Sequence, residues 1–205
     1  MTERFSTHEI TNQSPPFEAV NLYATDAALR DAVKREGGGQ AAKRLEAFGA
    51  RAGSAEAFAD GRLANEHTPR LETHDGKGRR LDTVEFHPAY HACMTLSMAE
   101  GLHCGAWDLT ATAETGKLTT LAPGANVVRA AGLYMAAQME AGHCCPITMT
   151  NAAVPTLALQ PDLARLWLPR IAGRSYDASF RPAEKKTAVT FGMGMTEKQG
   201  GTDVR

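Results

Sequence analysis

Apolar residues recur at three- and four-residue spacing through most of this chain, and alternating β-type residues begin only near its end. The clearest helical stretch is Ala125 to Ala141, rich in Ala, Leu and Met and closed by Gly142. Ala28, Leu29, Ala32 and Val33 form an earlier stripe, with Thr25 or Asp26 as the N-cap and Gly37-Gly38-Gly39 as the stop. Leu45 and Phe48 mark a second helix over 41–52. Ser54 restarts a third, carrying Ala57, Phe58 and Leu63. His87-Pro88 opens a helix reaching to about Cys104, since proline suits the first turn. Asp162 is expected to cap a helix through Leu168 to Ile171, ended by Gly173.

Between these lie the expected breaks. Residues 1–23, with Pro15-Pro16, read as an extended leader. Residues 74–80 read as a loop with a tight turn, after which Leu81, Val84 and Phe86 are briefly extended. Thr110 to Gly124 reads as a connection, and the segment from Pro146 as interrupted at Pro155. The pattern changes at Thr187-Ala188-Val189-Thr190. The fold class expected is therefore mainly α, with a helical domain and leader over 1–186 and the start of a β-domain over 187–205. One strand makes no sheet, so the chain is expected to be the N-terminal part of a longer protein.

Composition narrows the function more by exclusion than by assignment. A net charge of −1 gives no basic excess that would announce nucleic-acid binding. No apolar run approaches the roughly 20 residues needed to span a bilayer, and no signal-like segment follows Met1. Cys93, Cys104, Cys144 and Cys145 contain no C-x-x-C pair, so neither a disulfide scaffold nor a zinc site is expected. A reduced, cytoplasmic protein with no membrane partner follows from these features.

Four groups of residues carry chemistry on paper. His87 and His91 are four apart, but without the adjacent glutamate of a zinc helix they suit capping and packing. His143-Cys144-Cys145 has the residue types of a nucleophile cluster, weighed against buried, inert thiols. Thr148 and Thr150, near Pro146, could bring hydroxyls to a pocket. Last comes Phe191-Gly192-Met193-Gly194-Met195-Thr196-Glu197-Lys198-Gln199-Gly200-Gly201-Thr202-Asp203. Its glycines permit close approach of backbone to a ligand, and its free amides suit phosphate. It is neither a Walker loop nor a full Gly-x-Gly-x-x-Gly, so a simple glycine-rich turn remains open.

The span Met195 to Asp203 resembles the Thr-Glu-Pro-x-Ala-Gly-Ser-Asp motif of acyl-CoA dehydrogenases. Within that family the chain resembles the AidB-type, adaptive-response branch. The closer match is carried by Asn21-Leu22-Tyr23 with Arg35-Glu36-Gly37, Asp75 to Asp82, Phe86-His87-Pro88-Ala89 and Cys145 to Thr150. The resemblance implies FAD, with Met195 and Thr196 facing the flavin ring and Gly200, Gly201 and Thr202 approaching the phosphates. It implies α,β-dehydrogenation of acyl-CoA, with acyl-CoA as partner and a homo-oligomer as the assembly. The general base, a glutamate, would lie beyond Arg205, so no catalytic and no metal-ligating residue is assigned here. Lys198 stands where the family has proline, Gly200 where it has alanine and Thr202 where it has serine. Lys198-Gln199 matches the branch, whose acyl-CoA activity is weak. The alternative is a non-catalytic flavoprotein that binds or protects DNA in the alkylation-damage response, through a C-terminal domain. A helical scaffold with no cofactor is the third reading.

Overall fold

The computed structural model describes residues 7–9 and 11–194. Eight α-helices and one hairpin account for its regular structure: α1 (Ala27–Arg35), α2 (Ala42–Ala52), α3 (Ala55–Glu66), β1 (Arg70–His74), β2 (Arg80–Glu85), α4 (Pro88–Glu100), α5 (Leu109–Thr115), α6 (Ala125–Met139), α7 (Cys144–Ala158) and α8 (Pro161–Ile171). The mainly helical expectation holds. Among the described residues no helix is long and apolar enough to cross a membrane.

Local side-chain chemistry sets several starts. Asp26, Ser54 and His87 each accept the main-chain N–H that their helix leaves free in its first turn, from Leu29, Ala57 and Ala89. Gly101 closes α4 in the left-handed region (φ +78°), three residues before the expected end at Cys104. The leader is tied to α2: Val20 and Leu22 donate to the carbonyls of Gly53 and Gly49. Added Cβ atoms at either glycine would run into that strand of chain, so small residues allow the approach.

The main core joins Leu22, Val33, Phe48, Met94, Met98, Met135 and Ile147, drawn from the leader and helices α1, α2, α4, α6 and α7. A second cluster gathers Cys104, Leu109, Val154, Leu168, Ile171 and Val189 where α5, α7 and α8 meet. Met94 and Met98, and Met135 and Met139, each four residues apart on one helix, are all buried.

Four details differ from expectation. The connection after Thr110 contains α5, capped by Asp108 and buried through Leu109 and Thr112. Pro155 lies inside a continuous α7 rather than ending it. Pro161, not Asp162, opens α8: Asp162 sits in its first turn and pairs with Arg165. Residues 70–85 form a full antiparallel hairpin, its turn held by Asp75, whose carboxylate accepts the Lys77 and Arg79 N–H groups. The segment from Thr187 to Thr190 forms no ladder among the described residues. Instead it lies on the helices, with Ala188 in the main core and Val189 in the second cluster.

Candidate functional site

The five residues expected to face a flavin, Met195, Thr196, Gly200, Gly201 and Thr202, lie outside the described residues. The approach to them does not. Ala188 and Val189 are 3% and 6% exposed, and the Val189 N–H donates to the Arg170 carbonyl at 3.3 Å. Ala188 packs on Gly173, whose carbonyl accepts from Nε2 of the fully buried His103 at 2.9 Å. Burial holds the His103 imidazole below its ordinary pKa, which keeps it neutral at this junction.

Two residues further on, the Phe191 N–H donates to Thr150 Oγ1 at 2.8 Å. That hydroxyl in turn donates to the Pro146 carbonyl at 2.7 Å, one helical turn back along α7. Trp167 of α8 meets the Phe191 ring edge-on, with centroids 5.4 Å apart and planes at 89°. Of the two threonines singled out in α7, Thr150 is fully buried and Thr148 exposed, as an i, i+2 pair on a helix must be.

Beyond this anchor residues 192–194 are exposed. No heavy atom of the described residues lies within 4 Å of where a Cβ would sit on Gly192 or Gly194. Neither has a left-handed backbone. Nothing among the described residues therefore requires glycine at these positions. A backbone stripped of side chains suits close approach by a partner from outside. Beside the anchor, Asn151 Oδ1 is buried with no hydrogen-bond partner among the described residues.

A second constellation was not visible in the sequence. Ser97 Oγ lies 2.7 Å from His143 Nε2, and His143 Nδ1 lies 2.9 Å from Glu140 Oε2. All three are buried, at 0%, 0% and 6% exposure. Burial raises the Glu140 carboxyl, but the N–H groups of His143 and Gly142, the Asn65 amide and the imidazole outweigh it and hold it ionised below its ordinary range. Burial likewise pushes His143 below its ordinary pKa despite the carboxylate. With Nδ1 protonated toward Glu140, Nε2 accepts from the serine. The relay has the order of a hydrolase triad, but Ser97 sits in the interior of α4 with no exposed surface. Its role is to tie α3 and α4 to the turn before α7. Only Glu140 and His143 are sequence neighbours, so no local signal pointed to it.

The other sequence candidates resolve into packing. His143 faces Glu140 rather than the thiols, and burial pushes the Cys144 thiol up to about 11, which matches the buried, inert reading for that cysteine. His87 caps α4 and stacks on His67 at 4.6 Å. His91 Nδ1 is 3.0 Å from the Tyr176 hydroxyl at a cleft of about 720 Å³. The described residues contain no group of three or more His, Cys, Asp or Glu placed to hold a metal ion.

Residues 12–178 match the family described as the adaptive response protein AidB N-terminal domain. Over 201 residues the chain is 42% identical to AidB of Escherichia coli (strain K12), covering 98% of this chain and 35% of that protein. It is 28% identical over 150 residues to acyl-CoA dehydrogenase family member 11 of Caenorhabditis elegans, covering 70% of this chain and 21% of that one. Among solved structures it resembles Caenorhabditis elegans ACDH-11 in complex with C11-CoA, with a TM-score of 0.72, 25% identity and coverage of 98% and 32%. It also resembles the apo form of Bd2924, with a TM-score of 0.71, 26% identity and coverage of 95% and 36%. The chain thus spans 35% and 21% of the length of the two curated relatives.

Proposed function

The chain belongs to the AidB family of acyl-CoA dehydrogenase-like proteins, and from that premise we propose that it supplies one wall of an FAD site. The observation that carries this reading is the pair Gly192 and Gly194, exposed glycines that neither backbone conformation nor packing among the described residues requires. They follow directly on an anchored Phe191 and lead to Met195, Thr196, Gly200, Gly201 and Thr202. The fit to a flavin is favourable. A bare backbone can lie flat against a ring system, and amides and hydroxyls of the following residues can offset pyrophosphate charge. Met195 and Thr196 would hold the ring, and Gly200, Gly201 and Thr202 the phosphates.

When bound, FAD supplies hydride acceptance, and the substrate class is an acyl-CoA thioester. The likeness to a structure in complex with C11-CoA supports that class. The residues of this chain bind and orient; no proton transfer is assigned to them. The boundary at residue 187, between a helical domain and a β-domain, belongs to the same proposal.

Purification of the full gene product, followed by absorbance spectroscopy and chromatography of the released cofactor, tests the reading. FAD near one per subunit is expected, together with bleaching of the flavin by acyl-CoA under anaerobic conditions. A product that carries no flavin and takes up none on titration overturns the proposal. A flavin that no acyl-CoA bleaches would favour the non-catalytic, DNA-protecting alternative.

A further inference from the structure

We infer that Thr150 is the positioning residue of this site: its buried hydroxyl sets the path of the glycine-rich loop by holding the Phe191 amide. The inference rests on the flavin reading and adds a residue remote in sequence from the loop.

The hydroxyl has two partners and serves each with a different function of the group. It donates to the Pro146 carbonyl at 2.7 Å and accepts from the Phe191 N–H at 2.8 Å. The first bond fixes the rotamer, and the second transmits it to a chain segment 41 residues away. Thr150 is wholly buried and Phe191 half-buried, so the hydroxyl is an acceptor that the fold itself presents to the Phe191 amide. Among standard residues of this size only serine and threonine combine a donor and an acceptor on one atom.

The neighbouring ties do not set the loop by themselves. Val189 is bonded to α8, and the Phe191 ring rests on Trp167 of that helix, so both contacts refer the segment to α8. Among the described residues, the Thr150 hydroxyl is the one hydrogen bond that joins the main chain at Phe191 to α7. With two helices as reference, the peptide leading into Gly192 has a defined direction as well as a defined position. Met195 is four residues further along the sequence. A change in direction at Phe191 therefore reaches the ring-facing residues directly.

Three variants of the full gene product test this: Thr150→Val, Thr150→Ser, and Val33→Ala as a control of lowered stability in α1. FAD affinity is read by flavin fluorescence, and the Phe191 amide by hydrogen exchange. T150V is expected to weaken FAD binding by about tenfold, the weight of one buried amide left without a partner, and to speed exchange at Phe191. T150S is expected to restore both. V33A is expected to lower the melting temperature without changing FAD affinity. Flavin-loaded wild type with T150V within twofold of it overturns the inference alone. Wild type that binds no FAD overturns the flavin reading and the inference with it.

Discussion

The indole Nε1 of Trp107 donates to the main-chain carbonyl of Asn151 at 3.2 Å. This is the carbonyl that residue 155 would serve in an unbroken helix, and residue 155 is a proline with no N–H. The continuity of α7 is thus repaired from outside by a side chain 44 residues away. Trp107→Phe keeps an aromatic ring, though a smaller one, and removes the donor. It is expected to cost about 1–3 kcal/mol, the range for leaving a buried carbonyl unsatisfied. Chemical denaturation of W107F and of W107F with Pro155→Ala checks it. The second change restores the donor, so the double variant should recover most of the loss.

Acid should destabilise the fold well above the usual carboxylate range. His103 and His143 are fully buried, and burial lowers both imidazoles from an ordinary value of 6.5. The unfolded chain binds protons that the native chain refuses, so stability rises with pH in that window. Their contribution is complete above about pH 6.5 and is lost progressively as pH falls below it, by about 1.4 kcal/mol per pH unit for each imidazole still neutral. Glu140, held below its ordinary value, loses its contribution in the same direction at lower pH. Glu100, raised chiefly by burial, works the other way near its own range. Urea midpoints at pH 7.5, 6.5 and 5.5 should fall in that order, and equal midpoints would show that the native imidazoles titrate normally.

Gly61 and Gly39 should respond to alanine with opposite signs. Gly61 is buried on α3, and an added Cβ would collide with the Met139 carbonyl at the end of α6, with Glu140 Cβ only 3.2 Å away. Alanine gains about 1 kcal/mol in helix propensity, but the clash is with backbone and must move a helix. A net loss of about 1–3 kcal/mol is expected. At Gly39 the nearest atom is 3.8 Å away and the backbone is not left-handed. Alanine there should be neutral or stabilising by up to about 1 kcal/mol, through the unfolded state. Thermal melts of the two single variants decide the point.

These contrasts explain what was legible in the sequence. The caps at Asp26, Ser54 and His87 were visible because each is a bond within three residues. The buried stripes were visible because helical period and burial coincide, as in α6. Helix α5 was not, since its polar stretch is helical only because Leu109 and Thr112 find a core, with Thr112 Oγ1 also accepting the Thr119 N–H. Pro155 signals a break in the sequence because its rescue by Trp107 is tertiary. At the site, the glycines and Thr150 are separate features of the sequence. Only the fold joins them, through one hydrogen bond that no spacing encodes.

The four thiols should separate cleanly in a labelling experiment. Cys145 is exposed, with its sulfur 3.6 Å from Met149 Sδ, and presents its surface to reagent. Its neighbour Cys144 is half-buried, its pKa pushed up to about 11 by burial and the Glu140 carboxylate, and its sulfur engages the Glu140 carbonyl. Cys93 is 1% exposed and raised to about 12, while burial also raises Cys104 despite Arg174. The thiolate is the reactive form, so exposure favours Cys145, while the raised pKa values hold back the other three thiols. Iodoacetamide at pH 8, followed by peptide mass spectrometry, should modify Cys145 first. Cys144 should follow at least tenfold more slowly, and Cys93 and Cys104 only on unfolding. Faster labelling of Cys144 than of Cys145 would revive the reading of His143-Cys144-Cys145 as an activated pair.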